Sequence, residues 1–116
     1  MENDKIFAME FSKVYPLLVK KVERKNRTQQ EINEIIYWLT GYNEQELNQL
    51  LKNNIDYKTF FENAPQINPN CHLIKGSICG YKVQDIKDPL MQKIRYLDKL
   101  VDELAKGKTM DKILRK

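Results

Sequence analysis

The chain has 116 residues, of which 41% are hydrophobic and 31% are charged. These proportions exclude an intrinsically disordered chain, and the length suits one domain over residues 1–116. Two cysteines cannot form a disulfide scaffold. The sequence has no apolar run of the ~20 residues that cross a membrane, and its N-terminus lacks a signal-peptide pattern. We therefore expect a cytoplasmic protein with free thiols and no membrane partner.

Charge is distributed unevenly along the chain, whose net charge is +4. Residues 1–27 and 71–116 are basic, whereas residues 28–70 are acidic. The segments could neutralise one another in the fold or meet complementary patches on another subunit. The densest basic cluster consists of Lys20, Lys21, Arg24, Lys25 and Arg27. It could bind phosphates, but we favour the solvated face and C-terminal end of a helix.

The first predicted helix runs from about Ser12 to Lys25, with Pro16 in its first turn, where a missing amide donor costs little. Four apolar residues recur at helical spacing and predict its inward stripe: Val14, Leu17, Leu18 and Val22. Residues 1–10 are compatible with a short strand or with an arm that packs on the core.

The second predicted helix has the clearest start. Thr28 and Glu31 form a capping box, in which each side chain binds the other residue's backbone amide. Gly41 ends the helix, because glycine tolerates the left-handed conformation after a last turn. Its apolar stripe consists of Ile32, Ile35, Ile36 and Leu39. Tyr37 and Trp38 flank that stripe and are interpreted as boundary packing.

Two shorter helices and an irregular segment follow. Asn43 is predicted to cap the first, which stops at residues 53–54, and Asp56 to cap the second, from Tyr57 to Asn63. The first directs three leucines inward: Leu47, Leu50 and Leu51. Prolines and asparagines make residues 64–72 the longest irregular stretch.

Residues 73–86 allow two structures. Gly76-Ser77 could be the tight turn of a hairpin near residues 73–83, or residues 78–86 could form a glycine-weakened helix. We favour the hairpin. The predicted fold is thus mainly α, a compact single domain of about five or six helices with a small β-hairpin.

The long C-terminal helix is the strongest prediction. Asp88 caps it, Pro89 takes its first position and Gly107 follows its last turn. Thr109 is predicted to cap one further turn. Opposite charges four residues apart are expected to pair on its outer side: Lys99 with Glu103, and Asp102 with Lys106.

An apolar stripe on the long helix steps by four and three residues through Leu90, Ile94, Leu97, Val101 and Leu104. It could form a homodimer interface through residues 89–106. It is shorter than the three or four heptads typical of a coiled coil, so we favour packing against the domain's own core.

Four stretches resemble a known family: VYPL at 14–17, WLTGY at 38–42, APQINPN at 64–70 and DPLMQKIRYLDKL at 88–100. From about Lys5 to Lys116 the chain is similar to a family of short uncharacterised bacterial proteins, the domain-of-unknown-function family 2200. The resemblance implies a stand-alone bacterial cytoplasmic protein. It supplies no activity, ligand or catalytic residue.

Cys71, His72 and Cys79 form the only cluster of soft metal ligands, but structural zinc uses four ligands at more regular spacing. A nucleophilic pair of Cys79 with His72 across a hairpin is the remaining catalytic option. We favour packing thiols and a loop histidine. No phosphate-binding glycine loop is present, so we expect no metal, no cofactor and no catalytic residue.

The second and third helices have helix-turn-helix spacing. Glu44 and Glu46 begin the helix that would enter the major groove, and carboxylates are repelled by phosphates. This arrangement argues against a nucleic-acid partner.

The leading functional hypothesis is therefore a non-catalytic binding or interaction module for an unknown protein or small molecule. The first alternative is a small enzyme or ligand-binding protein with a site near residues 64–83, around Asn68, Cys79 and Tyr81. The second alternative is weak, salt-sensitive association with nucleic acid.

Overall fold

The computed structural model describes residues 2–115, with side chains from Lys5 onward. Met1 and Lys116 lie outside the described residues. The helices are α1 Glu2–Phe7, α2 Phe11–Glu23, α3 Gln29–Thr40, α4 Glu44–Lys52, α5 Tyr57–Glu62, α6 Pro89–Ala105 and α7 Met110–Ile113. Strands β1 Ser77–Ile78 and β2 Tyr81–Lys82 form an antiparallel hairpin, and short 3-10 helices span Pro69–Leu73 and Val83–Asp85. The predicted mainly α fold with a small hairpin is confirmed.

Helix α6 lies at the centre of the fold and packs against α2, α3, α5, α7 and the hairpin. Four of the five predicted stripe residues are at most 1% exposed: Ile94, Leu97, Val101 and Leu104. Leu100 is equally buried, whereas Leu90 is only partly buried. The buried residues belong to one cluster of buried apolar residues to which α2 through α5 also contribute. The stripe thus faces the protein's own core, as preferred from the sequence, because neighbouring helices pack against it.

The N-terminal segment differs from the sequence expectation. Residues 2–7 form a helix, and Ile6 and Phe7 pack against the core. Glu10 then pairs with Asp56 in an isolated antiparallel bridge, which joins the start of α2 to the start of α5. The backbone amide of Tyr57 donates to the carbonyl of Met9 at 2.8 Å. A short helix followed by one bridge therefore replaces the expected strand or arm.

Helix α2 corrects two predictions. Pro16 lies in the second turn and not in the first. Proline has no amide hydrogen, so the carbonyl of Ser12 lacks its intrahelical donor. Pro16 is exposed, so this break lies on the solvent side of the helix. Leu17 is 60% exposed. The buried face consists of Phe11, Val14, Tyr15, Leu18 and Val22. The helix starts one residue earlier than predicted, and aromatic Phe11 and Tyr15 take the inward positions instead of Leu17.

The predicted N-caps of α3, α4, α5 and α6 are confirmed by side-chain hydrogen bonds. Thr28 Oγ1 accepts from the Glu31 amide at 3.2 Å, and Glu31 Oε1 accepts from the Thr28 amide at 3.0 Å. Asn43 and Glu46 form a second capping box. Gly41 has φ of 81°, as its predicted role at the end of α3 requires. Thr109 occupies the N-cap position of α7, as predicted, but its side chain forms no capping hydrogen bond. The predicted position is therefore correct, and the predicted hydrogen bond is wrong.

The hairpin is present, but its turn lies at Cys79-Gly80 and not at the predicted Gly76-Ser77. Cys79 and Gly80 have φ of 53° and 83°, and they separate the paired residues Ile78 and Tyr81. Two positive φ values in a two-residue loop define a type I′ turn, whose twist matches that of the strands. Gly76 instead lies beside Lys99, whose Cε would be 2.9 Å from a Cβ at that position.

The outer side of α6 confirms one predicted ion pair and corrects the other. Lys106 Nζ lies 3.0 Å from Asp102 Oδ2. Glu103 is buried and is bound by Arg115, with Nη1–Oε1 and Nη2–Oε2 distances of 2.7 and 2.8 Å. Lys99 donates to the carbonyl of Ser77 instead. Glu103 therefore holds the end of the described chain against α6. Within residues 2–115, no helix is long and apolar enough to cross a membrane.

The two threonine N-cap positions provide a matched test of capping. We expect Thr28→Ala to lower the free energy of unfolding by about 1 kcal/mol, because an amide donor of α3 loses its acceptor. Thr109→Ala should change it by less than about 0.5 kcal/mol, since Thr109 makes no cap bond. Urea unfolding measures both; equal losses would contradict the assigned caps.

The hairpin turn provides a second test. Cys79→Asn is expected to raise the free energy of unfolding by about 0.5 kcal/mol, because asparagine tolerates positive φ better than cysteine. Cys79→Ala removes the sulfur and retains the unfavourable backbone, so it should bring no gain. A gain for alanine that matched the gain for asparagine would show that the sulfur, not the backbone, is unfavourable.

Candidate functional site

A cavity of about 400 Å³ opens where the hairpin meets the start of α6. It is lined by side chains of α1, β2, the segment between β2 and α6, and the first two turns of α6. These residues are Ile6, Tyr81, Lys82, Asp85, Ile86, Lys87, Asp88, Met91 and Arg95. The lining combines apolar side chains with charged groups of both signs, so it can offer a ligand both apolar contact and polar contacts that fix its orientation.

Arg95 is the most constrained charged group of the cavity. Its Nη1 donates to Asp98 Oδ2 at 3.0 Å and lies 3.5 Å from Cys79 Sγ. Its Nε is buried and has no hydrogen-bond partner among the described residues. Burial raises the pKa of Asp98, and the hydrogen bond from Arg95 opposes that rise. The guanidinium thus binds Asp98 through Nη1, and its Nη2 donates to no described residue.

Asp88 lines the cavity and is already engaged by α6. Its Oδ1 accepts from the backbone amides of Leu90 and Met91 at 2.9 and 3.0 Å. The carboxylate therefore occupies the positive end of the helix dipole. Its charge is compensated within the fold, and the cavity does not present free amides of the helix terminus to a ligand.

The structure separates the three residues predicted as a binding site. Tyr81 lines the cavity and is 56% exposed. Cys79 lies in the adjacent turn, with its sulfur at Arg95. Asn68 does not line the cavity: its Oδ1 accepts from the amide of Asn70 at 2.8 Å and begins the 3-10 helix at Pro69–Leu73. Asn68 therefore has a local structural role apart from the other two.

The predicted soft-ligand cluster is spread over two places. Cys71 is half-buried, and burial raises the pKa of its thiol. His72 is exposed, and its Nδ1 lies 2.7 Å from the carbonyl of Pro69. Cys79 is exposed in the hairpin turn. Among the residues with described side chains, no group of three His, Cys, Asp or Glu residues is placed to hold a metal ion.

A shallower depression of about 300 Å³ lies between α2 and α3. Tyr15 and Gln29 line it together with Val19 and Lys20. Gln29 Nε2 donates to the Tyr15 hydroxyl at 2.9 Å. Two of its polar groups thus bind each other, and the larger cavity at α6 is the better candidate site.

Arg27 does not belong to the basic patch predicted from Lys20, Lys21, Arg24, Lys25 and Arg27. Its Nη1 donates to the carbonyls of Leu104 and Lys108 at 3.2 and 2.8 Å, and its Nη2 lies 2.7 Å from Glu31 Oε2. It therefore satisfies carbonyls at the C-terminal end of α6. Lys21 lies 3.4 Å from Asp102 but is still exposed, so four exposed cations of the predicted patch remain: Lys20, Lys21, Arg24 and Lys25.

Sequence reasoning missed most of the cavity residues. Lys82, Lys87 and Arg95 have no distinctive spacing, because they come from a strand, a loop and a helix. Arg95 follows the buried Ile94 and gives no periodic signal of its own. The sequence signal that did point to the cavity is the predicted hairpin, since it contains Tyr81, which lines the cavity.

Over the described residues, the fold and the cavity together define a small, mainly helical protein with a mixed polar and apolar pocket. The family model of uncharacterized proteins conserved in bacteria (DUF2200) matches residues 5–115, and the chain belongs to that family. A similar solved structure is the crystal structure of the uncharacterized protein SP1917. It is 44% identical, with a TM-score of 0.90, over 95% of this chain and 90% of that chain. No curated protein matches the chain. These relatives confirm an uncharacterised bacterial family and supply no activity.

The Arg27–Glu31 pair predicts a pH dependence of stability. The hydrogen bond from Arg27, assisted by the Thr28 amide, lowers the pKa of Glu31 below its ordinary 4.5. The ionised form thus favours folding: its contribution is complete above pH 4.5 and is lost as the pH falls through the lowered folded pKa. We expect Glu31→Gln to lose less stability than the native protein between about pH 5 and pH 3.

Urea unfolding at several pH values checks this expectation. Glu34→Gln is the matched control, since Glu34 is exposed on the same helix and forms no ion pair with a described residue. A Glu31→Gln variant whose acid sensitivity equalled that of the native protein would contradict the role of the pair.

Proposed function

We propose that this protein is a non-catalytic binding module that holds a small ligand in the cavity between the hairpin and α6. The observation that carries the proposal is the cavity itself. Its volume of about 400 Å³ lies within the range of ligand pockets, about 300–1,000 Å³. Ile6, Ile86 and Met91 offer apolar contact, while Lys82 and Arg95 can fix the orientation of a ligand.

The chemistry of the lining favours binding over catalysis. The described lining residues supply Lys, Arg, Asp and Tyr groups, and none is a histidine, cysteine or serine. A hydrolytic or transfer reaction commonly uses one of those three as nucleophile or as proton carrier near neutral pH. Arg and Lys remain charged and serve mainly to recognise anions.

A homodimer through residues 89–106 remains a second, independent proposal. The apolar stripe of α6 is taken up by the core, so a dimer would use the remaining polar surface of that helix. We also propose a cytoplasmic location. The free thiols of Cys71 and Cys79 suit a reducing compartment.

Binding can be tested with 4-phenylbutyramide, a neutral probe with an aromatic ring and a short polar tail. During its titration we expect the backbone amide NMR signals of residues 81–95 to shift, because the ring would lie against Ile86 and Met91. Signals of residues 15–29, beside the shallower depression, should stay unchanged.

Two variants complete the binding test. Ile86→Trp places a larger side chain at the cavity wall and should weaken binding about tenfold. Val19→Trp is the matched control, because Val19 is also a half-buried aliphatic residue but lines the other depression. Absence of shifts at residues 81–95, with this probe and with its charged analogues, would refute the proposed function.

A further inference from the structure

We infer that the ligand of this cavity is a small amphipathic carboxylate, whose anionic group binds among Arg95, Lys82 and Lys87 while its apolar part lies against Met91 and Ile86. This inference rests on the proposed function and adds the chemical class of the ligand. It follows from the charges, the unused hydrogen-bond donors and the apolar side chains that line the cavity.

The cations of the cavity exceed its uncompensated anions. Lys82 and Lys87 are exposed, and neither forms an ion pair with a described residue. Of the two carboxylates that line the cavity, Asp88 is bound by backbone amides of α6. Asp85 is the remaining acid. The charge of Arg95 is paired with Asp98. The two free lysines therefore face one carboxylate that no described donor binds, and this difference favours an anionic ligand.

Arg95 supplies directional recognition. Its bonds to Asp98 and Cys79 both leave from Nη1, so the Nε and Nη2 donors are not used by described residues. A carboxylate in the cavity could accept from Nη2, and a planar guanidinium matches the geometry of a carboxylate.

The cavity lining also has an apolar part. Ile6, Ile86 and Met91 contribute to it, together with Tyr81, which is more than half exposed. A ligand that carried charge alone would leave these groups in contact with water. An aromatic or aliphatic portion of a ligand would remove them from water, which is favourable. The charged and apolar lining residues together therefore favour a molecule with one anionic end and one apolar end.

The test compares three probes of nearly equal size: 4-phenylbutyrate, 4-phenylbutyramide and 4-phenylbutylamine. We expect dissociation constants from NMR titration to follow the order anion, amide, cation, with the anion bound about tenfold more tightly than the amide. The same amides of residues 81–95 should shift with each probe. Added salt should weaken the anion and leave the amide nearly unchanged, because salt screens charge.

Variants of the cations identify the groups responsible. Lys82→Gln and Lys87→Gln should each reduce the preference for the anion about threefold without changing the affinity for the amide. Lys112→Gln is the matched control: Lys112 is exposed in α7, beyond the far end of α6. Arg95→Gln should abolish the preference. The two lysine variants keep the test valid if loss of Arg95 unfolds the protein around Asp98.

The outcomes separate the two proposals. Equal binding of anion and amide in the cavity, or stronger binding of the amine, would overturn the carboxylate inference and leave the proposed function standing. An anion preference that Lys112→Gln reduces as much as Lys82→Gln does would also overturn it, since net charge would then explain the effect. No shift at residues 81–95 with any probe would refute both.

Discussion

Burial of the apolar stripe of α6 is the constraint on which the rest of the structure depends. Ile94, Leu97 and Leu100 are at most 1% exposed, and four other helices and the hairpin pack around them. Each fully buried side chain of this kind stabilises the fold by about 1.5–3 kcal/mol. None of the surrounding segments is long enough to cover its own apolar face, so each is stable only on this central helix.

Charged residues secure both ends of that central helix. At the start of the helix, Asp88 accepts hydrogen bonds from two backbone amides. Near its end, Arg27 donates to the carbonyls of Leu104 and Lys108. Glu103 and Arg115 form a two-point ion pair with little exposure. Removing one member of such a pair leaves a charge poorly solvated, which is more costly than the pair itself is stabilising. This pair therefore favours one arrangement of the last described residues against α6.

The candidate site follows from the same arrangement. The hairpin lies across α6, so its type I′ turn brings Cys79 to Arg95, and its second strand places Tyr81 and Lys82 at the cavity. Asp98 lies behind Arg95, one turn further along the helix, and holds the guanidinium at the cavity wall. A loop, a strand and a helix thus supply a group of charges that no one segment contains.

Local physics determined much of this fold directly from the sequence. The capping boxes at Thr28 and Asn43, the end of α3 at Gly41 and the stripe of α6 each depend on residues within a few positions of one another. Tertiary packing decided the rest. It turned Arg27 and Glu103 inward, left Leu17 exposed, and moved the hairpin turn to Cys79-Gly80. It also brought Arg95, Lys82 and Lys87 to the same cavity. The sequence could not predict this grouping, because a cavity depends on distances between segments. The spacing of residues along the chain does not specify those distances.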